Sequence, residues 1–306
     1  LVELEKRIAT LAAQVDGRFG VCLRDLRTGE EFGVRLEEPL PMASTCKVPI
    51  LVEAYLRHEA GELDLAERVE FTEETRTFGS GLFNAFDPGL QPTVHDLLLM
   101  MIVVSDNAAT DLVLNRLSAQ RVTATMRKLD LPSIRVDRTI RELLADYFSE
   151  LDPRLEGMRY GQWDEMCEKY SDLKAKSQDL NEARRAVNAA TAGRDQSSPR
   201  DMARLCGMIA KHECAKPESC EAMLDIMDYQ LLNARLPRDF PPFARFPHKT
   251  GTLGSGAVVN DAGVLFIEDE PVASIACLSA DVRTPIHETC GVMAAIGRAV
   301  HDHYSP

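Results

Sequence analysis

Strand-like patterning in this chain is confined to its two ends, and a long block of helical periodicity separates them. Phe19 to Leu23 and Glu31 to Leu36 flank the turn signal Thr28-Gly29 and read as one β-hairpin. Val258 to Ile267 and Pro271 to Leu278, joined across the acidic turn Glu268-Asp269-Glu270, read as another. Strands and helices do not alternate, which excludes a parallel doubly wound sheet and calls for one antiparallel sheet built from both termini. Leu1, Leu4, Ile8, Leu11 and Val15 form a helical stripe, and a last helix is expected from about Pro285 to Tyr304; both would cover that sheet. Helices are expected at Val48 to His58, Val94 to Ile102, Ala108 to Leu117, Gln120 to Leu129, Pro199 to Ala210 and Cys220 to Leu232.

The expected fold class is therefore α/β in the α+β sense: an antiparallel sheet flanked by helices, a separate all-α domain, and a helical insertion. Residues 1–37 and 222–306 would form the discontinuous sheet domain and residues 38–221 the helical one. The insertion, at about 149–190, is rich in charge and holds Trp163, which would dock it onto the body. A chain of 306 residues has ample volume for two such domains.

The formal net charge of −13 argues against a nucleic-acid partner or an anionic membrane surface. No run of about 18 apolar residues is present to span a bilayer. The eight cysteines include no C-x-x-C pair, so structural zinc is not expected, and Cys277 in its apolar run reads as a small core hydrophobe. The first residues, Glu3 to Arg7, are charged, so an export signal is expected to be absent or already removed.

Chemistry concentrates in three short motifs. Ser44-Thr45-Cys46-Lys47 starts an apolar-periodic helix, and in a helix S-x-x-K sets hydroxyl and amine one turn apart on one face. Burial of such a Lys favours its neutral form, which can accept the hydroxyl proton. The tetrad is unspecific alone; a second copy, Ser171-Asp172-Leu173-Lys174, reads as solvated helix surface. Ser105-Asp106-Asn107 follows an apolar helix at a loop boundary, and His248-Lys249-Thr250-Gly251-Thr252 lies on an expected strand before a glycine-rich turn. S-x-x-K, S-D-N and K-T-G together, in this order, are a specific combination.

On these residues the chain resembles the class A branch of the serine β-lactamase and penicillin-recognising superfamily. Asp87-Pro88-Gly89, the segment from Ser198 to Ala203, and Asn260-Asp261 extend the likeness over nearly the whole length. The interval from Ser44 to Ser105 is close to the family's, whereas that from Ser105 to Lys249 is longer by about forty residues, which places the surplus in the insertion. The resemblance implies that Ser44 is the acylated nucleophile and Lys47 the amine that helps deprotonate it. It implies that Ser105 relays a proton to the leaving nitrogen, that Asn107 orients substrate, and that Lys249 holds Ser105 and adds positive charge. Thr250 and Thr252 would bind a substrate carboxylate or carbonyl, Gly251 would let substrate approach the strand edge, and the N–H groups of Ser44 and Thr252 would form the oxyanion hole. It also implies a monomer exported to the periplasm or cell exterior, with no metal and no organic cofactor, acting on β-lactams or related acyl or peptide substrates.

Two departures bear on turnover. The family deacylates with a Glu on the omega loop, shortly after an Arg. If Asp137-Arg138 marks the start of that loop, Ile140 falls where the Glu belongs; if Leu180 to Ala183 marks its end, Ser177 does. Glu142 is the nearest carboxylate, to be weighed as base against an ion pair with Arg138 or Arg141. Val259 stands where drug-hydrolysing members often carry an Arg for the β-lactam carboxylate. The expected function is acylation of Ser44 followed by hydrolysis. The alternatives are a related serine hydrolase or peptidase with poor β-lactam turnover, or a penicillin-binding sensor module. Cys46 is expected to pack rather than react, and His301 and His303 to serve a helix end rather than a metal.

Overall fold

A computed structural model describes residues 2–305; Leu1, the first residue of the expected N-terminal stripe, lies outside the described residues. Helix α1 (Val2–Ala12) buries Leu4, Ile8 and Ala12. Strand β1 (Arg18–Asp25) then pairs with β2 (Glu31–Val34), which stops before Arg35, a residue in the left-handed region at φ 51°. A two-residue strand β3 (Leu40–Pro41) leads through a 3₁₀ turn at Ala43–Cys46 into α2 (Lys47–Glu59). Every residue of α2 from Lys47 to Tyr55 is buried, so this helix runs through the middle of the helical layer.

Around it pack α3 (Val94–Val103), α4 (Asn107–Leu117) and α5 (Ala119–Lys128), whose first turns are capped by the side chains of Thr93, Asp106 and Ser118. Helix α6 (Ile140–Leu151) starts before the expected insertion, which is helical as expected: α7 (Trp163–Lys169), α8 (Leu173–Gln178) and α9 (Leu180–Ala190). Together these helices enclose a small apolar core of their own, with Tyr147, Leu151, Leu155, Leu173 and Val187 buried and Trp163 packed at the edge. Strand β4 (Gln196–Ser197) pairs with β3, and α10 (Pro199–Ala210) and α11 (Pro217–Asp228) complete the helical layer.

Helix α11 departs from the expected Cys220 to Leu232. Pro217 opens it, where a missing N–H costs nothing, and it ends at Asp228, leaving Tyr229 to Leu232 as loop. Cys220, Met223, Leu224 and Met227 pack into the helical core, so a boundary at residue 222 would cut this helix and the layer runs on to Asp228.

Strands β5 (His248–Leu253), β6 (Val258–Ile267) and β7 (Glu270–Ala280) return to the sheet, and α12 (Ile286–Tyr304) closes the chain. The sheet order is β2-β1-β7-β6-β5, every pair antiparallel, and β1 pairs with β7 from Arg18 opposite Ala280 to Asp25 opposite Ala273. Both chain ends therefore build one sheet. Side chains alternate across it: Phe19, Val21, Leu23, Ile275 and Cys277 meet α1 and α12, whereas Cys22, Ala276 and Leu278 face the helical core. The β6–β7 turn is tighter than expected, made by Glu268 and Asp269 alone, both with positive φ, so that Glu270 already belongs to β7. All eight cysteines are free thiols, with the sulfurs of Cys214 and Cys220 3.9 Å apart. Among the described residues no helix is long and apolar enough to cross a membrane.

Candidate active site

Edge strand β5 lies against the turn that carries Ser44. A side chain at Gly251 would meet Met42 O at 2.8 Å and the Ser44 nitrogen at 3.0 Å, so only glycine lets the turn's backbone sit this close to β5. From β6, Asn260 Nδ2 donates to Pro41 O at 2.8 Å and Met42 O at 2.9 Å, fastening the same turn to the sheet. Held in this way, Ala43 takes φ 46°, a region that L-residues occupy at a cost of roughly 1–2 kcal/mol. Ser44 lines the cleft at the start of α2, where free backbone N–H groups favour developing negative charge.

Lys47 is fully buried. Its Nζ donates to Ser105 O at 2.8 Å, Ser105 Oγ at 3.1 Å and Asn107 Oδ1 at 2.8 Å. Among the described residues Ser44 Oγ takes part in no hydrogen bond, so the contact expected within S-x-x-K gives way in the resting site to three bonds with the 105–107 loop. Burial brings the Lys47 amine down to about 8, despite Coulombic support from Asp106 and Asp111. Cys46 is buried and its thiol is pushed up to about 12 by that burial, which keeps it protonated beside the nucleophile.

The 105–107 loop is fixed from several sides. Ser105 sits at φ 57°, and its carbonyl also accepts from Ser80 Oγ at 2.7 Å. Asp106 caps α4 through Ala109 N at 2.9 Å while its other oxygen accepts from Leu82 N and Phe83 N. Gly81, at φ 129°, passes so close to the Asp106 carboxylate that any side chain there would overlap it. Asn107 donates Nδ2 to Phe78 O at 2.8 Å.

Lys249 is also fully buried, but its Nζ donates to Thr250 O at 2.8 Å rather than to Ser105. Ser105 Oγ is held by Lys47 instead. Burial, followed by the neighbouring charges of Lys47 and Arg235, depresses the Lys249 amine well below the usual lysine range, so an added ammonium contact is disfavoured. Thr250 and Thr252 both line the cleft.

Arg235 escaped the sequence reading. It stands in the loop after α11, buried, with Nη1 donating to Gly251 O at 2.7 Å and to Asn260 O, and Nη2 to Thr252 Oγ1 at 2.5 Å. Val259 is buried and offers no charged group, and the guanidinium of Arg235 braces β5 and β6 from behind Thr252. The loop is anchored by His248, whose ring bridges Asp261 Oδ1 at 2.8 Å and Asn233 Oδ1 at 2.9 Å. A lone Arg in an aperiodic loop carries no sequence signal.

The cleft between these elements encloses about 530 Å³. One wall is polar, with Ser44, Ser80, Ser105, Asn107, Thr250 and Thr252; the other is apolar, with Ile140, Leu143, Leu144, Tyr147, Phe148 and Trp163. Among the described residues no carboxylate lines it. Glu142 is exposed and closes a capping box at the start of α6, its Oε2 accepting from Thr139 N at 2.8 Å and Thr139 Oγ1 at 2.9 Å. Both expectations for Glu142 are corrected: it faces away from the cleft lining, and its partner is Thr139 rather than an arginine.

Arg138 instead bonds Asp195 Oδ2 at 2.7 Å, Ala190 O at 2.6 Å and Asp146, closing the whole stretch from 138 to 195 at its base. Arg141 reaches the carbonyls of Glu74 and Arg76. Asp111, on α4, accepts from Ile140 N at 2.7 Å and Arg141 N at 3.0 Å, so it pins the first turn of α6 to the helical core. Its carboxyl is raised to about 6 by burial. This arrangement puts Ile140, two residues after the loop-closing arginine, on the cleft. Ser177, the other position considered for the base, also reaches the lining, again without a carboxylate.

The model of the β-lactamase enzyme family matches residues 3–304. The chain is 27% identical over 311 residues to the β-lactamase regulatory protein BlaB of Streptomyces cacaoi, covering 92% of this chain and 90% of that one. Over about half its length it is 32% identical to β-lactamase L2 of Stenotrophomonas maltophilia, a match of 147 residues covering 48% of each chain. Its fold is similar to the crystal structure of a β-lactamase from Sphaerobacter thermophilus, with TM-score 0.76 and 22% identity, covering 98% of this chain and 96% of that one. It is equally similar to the structure of PBP-A, with TM-score 0.75 and 22% identity, covering 99% and 96%. The chain belongs to the β-lactamase enzyme family.

Proposed function

We propose that this protein is a serine acyl enzyme that is readily acylated on Ser44 by β-lactams and related acyl donors, and that releases the acyl group slowly. The observation that carries the proposal is the contrast across the cleft: Ser44, Ser105 and Asn107 share one polar wall, with Lys47 bonded to Ser105 and Asn107, and among the described residues no carboxylate lines the cleft. In the proposed reaction Ser44 Oγ bonds the carbonyl carbon, its proton passes by way of Lys47 and Ser105 to the lactam nitrogen, and the C–N bond breaks. The N–H groups of Ser44 and Thr252 would stabilise the oxyanion, while Thr250 and Thr252, the latter held by Arg235, would receive the substrate carboxylate. Hydrolysis requires a base to activate water on the far side of the ester, and Ile140 supplies none.

The carboxylate-free wall also supports a second reading, a penicillin-responsive module in which the persistent acyl-enzyme is the signal. Intact-mass analysis after adding benzylpenicillin tests the shared step. One adduct with the full mass of the drug, mapped to Ser44 and missing in Ser44→Ala, is expected. An adduct at another residue, or none, would overturn the proposal.

A further inference from the structure

We infer that one face of α6, extended by Trp163 from the helical insertion, builds an acyl side-chain pocket, and that the enzyme selects donors carrying an aromatic or branched apolar group close to the scissile carbonyl. The inference rests on the acylation of Ser44 proposed above and adds the class of substrate.

Ile140, Leu143, Leu144, Tyr147 and Phe148 recur at the spacing of one helical face, and all five line the cleft. Such a stripe normally disappears into a core. Here it serves two surfaces: Leu143 and Tyr147 are buried against the insertion's own core, while Leu144 and Phe148 remain partly exposed toward the cleft. Trp163, from α7, extends the wall by packing on Phe148 with ring centroids 5.8 Å apart, and Phe78 backs Phe148 from the other side at 5.0 Å. Aromatic side chains held in this way are rigid, and they offer edges and faces to another ring.

Charge selects in the same direction. Among the described residues this wall carries no ionisable group except the Tyr147 hydroxyl, which has no hydrogen-bond partner there and is raised by burial. A carboxylate or ammonium placed against it would lose water and gain no ion pair. A phenyl or branched alkyl group would instead cover apolar surface.

Benzylpenicillin and carbenicillin share the same nucleus and differ by a carboxylate on the side chain next to the acyl amide, so they isolate the wall's preference. Time-resolved intact mass of the full chain should show benzylpenicillin acylating Ser44 about tenfold faster or more, since the added charge finds no partner. Leu144→Lys, at the partly exposed edge, should reverse or abolish that preference by supplying one. Equal acylation rates for the two drugs in the wild type would overturn the pocket while leaving the acylation proposal standing. Absence of any adduct with either drug would remove the acylation proposal itself. If Leu144→Lys fails to fold, the wild-type ratio alone decides.

Discussion

The two walls of the cleft were built by different kinds of sequence. The wall around Ser44, Ser105 and Thr250 comes from short motifs on rigid elements, and Lys47, Ser105, Asn107 and Lys249 on or behind it are committed to partners while, among the described residues, Ser44 Oγ is not. The facing wall comes from a stretch closed at its base by Arg138 and Asp195, and it presents hydrocarbon and aromatic rings. In the proposed reaction the first wall would open the acyl bond, and among the described residues the second carries no carboxylate to hydrolyse the ester. On that proposal the two half-reactions are structurally separable, because they depend on opposite sides of the substrate.

The largest expected effect lies on the polar wall. Lys47→Met should slow acylation by about 10²–10⁴, the usual contribution of a positioned acid–base group. In the wild type, the Lys47 amine at about 8 is protonated below that pH and free above it. Stopped-flow acylation rates should therefore rise through about pH 8, and a rate that falls or stays flat there would detach Lys47 from proton transfer.

Next comes the apolar wall. Ile140→Glu places a carboxylate at the cleft position nearest the loop-closing arginine and should shorten the acyl adduct's lifetime by about tenfold or more. An unchanged lifetime would show that water, rather than a base, is what the wall withholds.

A smaller effect is expected at the hinge between the walls. Arg138→Ala leaves Asp195 buried without its partner and should cost about 3 kcal/mol of stability in denaturant unfolding. Retained acylation by the folded fraction would confirm that the polar wall stands apart from the insertion. The smallest effect belongs to Glu142→Gln, which touches only the exposed α6 cap. Its adduct lifetime should match the wild type, and a longer one would return Glu142 to the mechanism.

The polar wall was legible in the sequence because S-x-x-K, S-D-N and K-T-G each lie within a few residues, where local geometry fixes their side chains. The sheet was legible too, since period-2 patterning at both ends admits one antiparallel arrangement. What escaped depends on contacts across long separations. Arg138 and Asp195 meet only after four helices have folded between them. Arg235 reaches Thr252 from a loop with no periodicity, and Lys249 donates to the Thr250 carbonyl rather than to Ser105. The stripe from Ile140 to Phe148 was present in the sequence, but nothing local reveals that it faces a cleft. Glu142 was drawn into the search as the nearest carboxylate, whereas Thr139 three residues before it marks a helix cap.

The separation of the half-reactions is tested most directly by the fate of the acyl-enzyme at pH 7. Wild-type protein given nitrocefin should release a colour burst of about one equivalent and then nearly stop, with the adduct mass persisting after free drug is removed. Continued rapid turnover with no detectable adduct would contradict the account, because it would require a deacylating base that the apolar wall does not contain.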